Sequence, residues 1–129
     1  MSAPKGGDEA LEIVWLDEPE DHDYPAALSY LSLIFDEKTA AAVVRNLRDA
    51  PASRFKAKDI FRASGLSLLG VSNGHVERDQ EKIRKRKPLS PLLLVRHEPA
   101  ARVIVADGYH RLCAVYSFDE DALVPVKIV

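Results

Sequence analysis

The apolar positions change period several times along the chain, and each change marks an element. Residues 11–16 form a short apolar run. The following Asp17-Glu18-Pro19-Glu20-Asp21-His22-Asp23 is acidic and broken by proline, the texture of a solvated linker. From Tyr24 the spacing turns helical, with Tyr24, Leu28, Leu31, Ile34 and Phe35 on one face, and Asp23 before Pro25 suits a helix entrance. A second helix is predicted over 37–49. Asp36 caps it, Val43, Val44 and Leu47 supply its apolar stripe, and Pro51 ends it. So short a connection makes the two helices an antiparallel hairpin.

Past Pro51 the texture changes. Phe55-Lys56-Ala57-Lys58-Asp59-Ile60 alternates as a short strand does, and Ala63-Ser64-Gly65 with Leu68-Leu69-Gly70 reads as a loop carrying apolar anchors. Asn73 is placed to cap a helix over 74–86, with Val76 and Ile83 inward, and Pro88 and Pro91 stop it. Residues 92–95 and 103–105 are continuous apolar runs of strand length, joined by a turn over 97–101, so both are predicted as buried strands. A helix follows over 108–118, with Leu112, Val115 and Tyr116 toward the core. The last strand is predicted over 124–129, where Pro125 calls for a sheet edge or a bulge.

The fold class that results is α/β (α+β): a small mixed sheet with helices, preceded by an N-terminal helical hairpin. The expected divisions are a tail and acidic linker over 1–23, the hairpin extension over 24–50 and the main domain over 51–129. A chain of 129 residues supports one core. Its net charge of −2 lacks the electrostatic footprint of a stand-alone nucleic-acid binder, so any anion site must be local. The single cysteine, Cys113, excludes an internal disulfide. Without a recognisable signal peptide or an apolar run of membrane-spanning length, a reducing cytoplasm is the expected compartment.

Candidate chemistry concentrates in Val105-Ala106-Asp107-Gly108-Tyr109-His110-Arg111-Leu112. A helix that starts directly after a buried strand presents backbone N–H groups without intrahelical partners and the positive end of its dipole, a combination that attracts phosphate. Asp107 is the expected cap, and Gly108 lets a ligand approach the backbone. Arg111 can grip a phosphate through two donors, and His110 can donate a hydrogen bond or exchange a proton near neutral pH. The plain alternative is a cap, a turn and a solvated arginine. Against it, a cation in the first helical turn opposes the dipole unless an anion is bound there. The phosphate reading requires Arg111 to be open to the ligand, and an internal ion pair would close it.

Asp107-Gly108-Tyr109-His110-Arg111-Leu112-Cys113-Ala114 resembles the D-G-x-x-R-x-x-A signature of the ParB/sulfiredoxin superfamily. Residues 55–60, 75–87, 91–95, 103–106 and 124–129 are similar, in order and spacing, to that family's opening strand, following helix, P-[IL]-x-V strand, motif strand and closing strand. The resemblance implies a nucleotide whose phosphates rest on residues 108–111, with Asp107, Gly108, Tyr109, His110 and Arg111 as ligand-binding residues. In that family ParB proteins bind and hydrolyse CTP, sulfiredoxins use ATP to rescue an over-oxidised cysteine, and a related branch phosphorylates free serine. The implied cofactor is therefore CTP or ATP/ADP with Mg2+, and the implied chemistry is nucleotide hydrolysis or phosphoryl transfer with His110 handling the proton. Tyr109 stands where sulfiredoxins carry their cysteine, so sulfinic-acid reduction is not expected. The arginine-bearing box of ParB has only Arg62 as a stand-in, and the helical DNA-binding motifs of ParB do not follow within the 129 residues.

Other residues give weaker signals. Lys82, Arg84, Lys85 and Arg86 form a secondary basic face, read either as solvated or as a guide for a polyphosphate or nucleic-acid backbone. The acidic residues 17–23 lack the turn geometry of a calcium loop, and Glu77 and Asp79 read as surface charges, so no metal ligands are assigned. His75 reads as a capping or surface histidine. Trp15 is expected to pack rather than to stack on a base. Two rival functions follow: a non-catalytic protein-interaction or self-associating module, which needs an exposed stripe at Leu28, Leu31 and Phe35, and a DNA-associated regulator using residues 82–87.

Overall fold

The structure, a computed structural model, describes residues 12–67 and 74–129. The predicted tail over 1–10, the 68–70 anchors and the Asn73 cap lie outside the described residues. In chain order the elements are α1 (Asp23–Leu31), α2 (Glu37–Asp49), β1 (Ala52–Lys56), α3 (Ala57–Ser64), α4 (Gly74–Arg84), β2 (Leu92–His97), β3 (Arg102–Asp107), α5 (Tyr109–Phe118) and β4 (Leu123–Ile128). This is a mixed α+β arrangement around one four-stranded sheet of order β1-β4-β2-β3. β4 runs antiparallel to β1 and parallel to β2, and β2 pairs antiparallel with β3 through the tight turn at Glu98–Ala100.

Strand alternation decides what each face of the sheet buries. Leu92, Leu94, Val105, Val124 and Val126 join α3, α4 and α5 in one apolar cluster. Their neighbours Leu93, Val95 and Ala106 join Tyr24, Ala27, Leu31, Ala40, Val44 and Leu47 from α1 and α2 in a second. The N-terminal helices therefore form a layer of the core. The apolar stripe that the interaction-module rival needs turns inward: Leu31 is fully buried, and Leu28 and Phe35 are partly buried on the same cluster.

α2 is built as expected, with the Asp36 carboxylate accepting the Thr39 N–H at 2.8 Å. The strand predicted over 55–60 is corrected. β1 ends at Lys56 and α3 begins at Ala57, because Ala57, Ile60, Phe61 and Ser64 recur at helical spacing on a buried face. The Ala57 and Lys58 N–H groups donate to the carbonyls of Ala122 and Glu120, both at 2.9 Å, which turns the chain out of the sheet. β4 is likewise central rather than at an edge. Its parallel ladder to β2 starts only at Val126, so the missing N–H of Pro125 falls where β1 is the sole neighbour.

The stretch read as a solvated linker is tied down. Asp23 is 2% exposed, and its carboxylate accepts the Glu20 N–H at 2.9 Å and the Ser90 hydroxyl. Glu18 pairs with Lys127 Nζ at 3.0 Å. Residues 14–16 run beside Leu89 through two backbone hydrogen bonds of 2.8 Å, which brings Trp15 against the first cluster, as the packing reading expects.

Candidate functional site

β3 ends at Asp107, Gly108 turns the chain at φ +104°, and α5 starts at Tyr109. The strand-to-helix corner thus stands where the sequence placed it. Its chemistry differs in one respect: Asp107 is not the cap. No side chain caps α5, and the Asp107 carboxylate turns instead to Arg111, whose Nη2 donates to it at 2.9 Å. The expectation of an Arg111 held open for a ligand fails for that reason. Its guanidinium also reaches the Pro91 carbonyl at 3.4 Å, and its Nε is buried without a partner. Asp23 from α1 lies against the Asp107 carboxyl on the other side. Burial first, and then the Asp23 carboxylate, raise the pKa of Asp107, while Arg111 opposes the rise.

Above this floor lies a cavity of about 400 Å³ between the start of α5 and one side of α4. Its walls include all five corner residues, Asp107, Gly108, Tyr109, His110 and Arg111, and add four from α4: His75, Arg78, Asp79 and Lys82. Helical spacing explains the second set, since 75, 78, 79 and 82 recur at three- and four-residue steps and so share a face. Of the predicted basic face, only Lys82 belongs to the cavity. Arg84 turns the other way and covers the Phe118 ring at 5.4 Å, while Lys85 and Arg86 follow the end of α4 and stay exposed. Residues 82–87 are thus divided between the cavity, the Phe118 ring and the exposed surface.

Two histidines and a tyrosine form one rim. The rings of His75 and His110 lie 4.8 Å apart, and Arg78 Nη2 sits 2.5 Å from His75 Nδ1. Burial first, then His75 and Arg111, depress the pKa of His110, although Asp79 partly offsets them; the imidazole is mainly neutral at pH 7. The Tyr109 hydroxyl donates to the Ser67 carbonyl, tethering the first turn of α5 to the segment after α3. His75, read from sequence as a capping or surface histidine, lines the cavity, and Arg78 escaped the sequence reading. Their signal was the i, i+3, i+7 register with Lys82 on one helix, which gains meaning only once α4 is known to lie beside α5.

Asp79, read from sequence as a surface charge, is corrected: its side chain is only 14% exposed. Burial is the main cause of its raised pKa, and Lys82, Arg111, His110 and Arg78 oppose it. The folded chain consequently holds this proton to higher pH than the unfolded chain does. Stability therefore falls as pH rises from the ordinary carboxylate range through the raised value. Asp79→Asn removes that loss. The variant is expected to melt above the wild type at neutral pH, with the gap closing below the ordinary carboxylate range, in thermal melts across a pH series.

Fold and site together define a mixed α+β chain with a cation-lined cavity at a strand-to-helix corner. No protein-family model matches the chain, and no curated protein or solved structure matches it. Among the described residues, no helix is long and apolar enough to cross a membrane.

Proposed function

We propose that the chain binds a phosphate-bearing ligand of nucleotide size in the cavity between α4 and the start of α5. One observation carries this reading: Arg78 and Lys82 from α4 meet an α5 start that no side chain caps across one space of about 400 Å³. That volume lies within the range of small-molecule sites, roughly 300–1,000 Å³. Cations and uncapped amide ends are the groups that phosphate oxygens seek. The reading that required an open Arg111 is withdrawn, because Asp107 pairs with it at 2.9 Å; the site proposed here rests on Arg78 and Lys82. Arg111 and Asp107 instead support the floor.

The D-G-x-x-R resemblance points to the same corner and suggests CTP, ATP or ADP. Among the described residues, no group of three or more His, Cys, Asp and Glu could hold a metal ion. In this reading magnesium arrives with the nucleotide, held by its phosphates and water. Nucleotide hydrolysis or phosphoryl transfer takes second place. Its candidate is His110, neutral at pH 7 and able to accept a proton at the cavity wall.

The test is to titrate CTP, ATP and ADP, with and without magnesium, against the wild type and Lys82→Ala while following thermal stability and phosphate release. At least one nucleotide is expected to raise the wild-type melting temperature, with affinity about tenfold lower in the variant. Phosphate release lost in His110→Gln would make the protein an enzyme rather than a binder. A melting temperature indifferent to every nucleotide would overturn the proposal.

A further inference from the structure

Asp79 is an odd occupant of an anion site. It sits on α4 between Arg78 and Lys82, faces the same cavity and is largely buried. Its one ion pair is with Lys82 Nζ at 4.0 Å, too long for a hydrogen bond, and no other donor among the described residues is bonded to its carboxylate. Asp107, the other acid of the cavity, differs because Arg111 already occupies it at 2.9 Å. The cavity thus holds one carboxylate with unused acceptor capacity beside the groups that attract a ligand's negative charge.

A carboxylate so placed treats two kinds of oxyanion differently. A fully ionised anion such as sulfate offers it only lone pairs, so the two repel across a poorly solvated space. An oxyanion that retains a hydroxyl can turn that O–H toward the carboxylate and form a charge-assisted hydrogen bond, leaving its ionised oxygens for Arg78, Lys82 and the start of α5. We infer that Asp79 makes the cavity selective for oxyanions that carry their own hydroxyl, so that phosphate and phosphate monoesters are accepted and sulfate is refused. The inference rests on the proposed phosphate site and names its ligand class. On charge alone the order would be reversed: in mildly acidic solution sulfate keeps two negative charges and phosphate mainly one, so a cationic cavity without Asp79 would prefer sulfate.

The probes are inorganic phosphate, methyl phosphate, dimethyl phosphate and sodium sulfate, titrated calorimetrically at about pH 6 and matched ionic strength without magnesium, where the first two retain a P–OH. Wild-type protein is expected to bind phosphate and methyl phosphate at least about tenfold more tightly than sulfate, and to bind dimethyl phosphate, which has no hydroxyl, as poorly as sulfate. Asp79→Asn, whose amide can donate to any oxyanion, should bring sulfate level with phosphate or above it. Asp79→Glu should keep the phosphate preference. Binding of phosphate but not of methyl phosphate would overturn the inference for monoesters, and with it the nucleotide-sized ligand. Wild-type protein that takes sulfate as readily as phosphate overturns the inference while leaving an anion site standing, and this result needs no variant to fold. An unchanged preference in folded Asp79→Asn overturns the assignment to Asp79. If none of the four anions binds, the inference and the proposed site fall together.

Discussion

Residues 51–129, expressed without α1 and α2, are expected not to fold cooperatively. Those two helices bury Tyr24, Ala27, Leu31, Ala40, Val44 and Leu47 on the face of the sheet formed by Leu93, Val95 and Ala106. Without them, Leu93, which is fully buried, and Val95 would face water. Truncating one buried leucine to alanine typically costs about 2–5 kcal/mol, and the whole stability of a domain is about 5–15 kcal/mol. Losing a complete helical layer exceeds that margin.

Polar consequences follow as well. Lys127, whose side chain is 6% exposed, donates to the Arg48 carbonyl at 2.7 Å and pairs with Glu18, and the deletion removes both partners. A buried ammonium without partners is costly in its own right. Circular dichroism and urea unfolding of the 51–129 fragment check the expectation. A single cooperative transition there would show the helices to be an appendage.

Gly108→Ala is expected to destabilise the chain by about 2–4 kcal/mol and to abolish anion binding. Backbone and space both oppose the added methyl. At φ +104° an L-residue is strained, at a cost of roughly 1–3 kcal/mol. The new Cβ would also lie 2.7 Å from Leu92 Cγ and 2.9 Å from Arg111 Nη2. Leu92 is fully buried at the start of β2 and cannot retreat freely, and overpacking of this kind typically costs about 1–3 kcal/mol. Relief on the other side would push Arg111 away from Asp107 and disturb the floor beneath the cavity. Urea titration reads the stability, and phosphate calorimetry reads the site. A variant as stable as the wild type would show that the turn is not constrained as described.

How much of this was legible depended on whether a local signal agreed with its tertiary setting. α2 was legible to the residue because its cap, stripe and terminating proline are all local. β2, β3 and α5 were legible from unbroken apolar runs and a glycine turn. α3 was not, because Phe55-Lys56-Ala57-Lys58-Asp59-Ile60 alternates convincingly while the competing Ala57, Ile60, Phe61, Ser64 register is only two turns long. Pro125 argued for an edge, and only the late start of the neighbouring ladder explains its place in a central strand.

At the site, the corner itself could be read from residues adjacent in sequence, whereas its charge state could not. The Arg111–Asp107 pair is an i, i+4 contact that local spacing allowed but did not require, and only the approach of Asp23 from α1 joins positions far apart in the chain. Nothing local distinguishes Asp79 from Glu77, which is exposed on the same helix, until α5 covers one of them.

The position of β4 bears on the order in which the protein can assemble. β2 and β3 are joined by a three-residue turn and can zip together as soon as both are made, but β1 pairs with β4, some seventy residues further along. On the ribosome, β1 must therefore wait, unpaired, until β4 has emerged as well. Closure of the sheet then waits on β4, and through that interval the unpaired strand is open to capture by chaperones or by a neighbouring nascent chain.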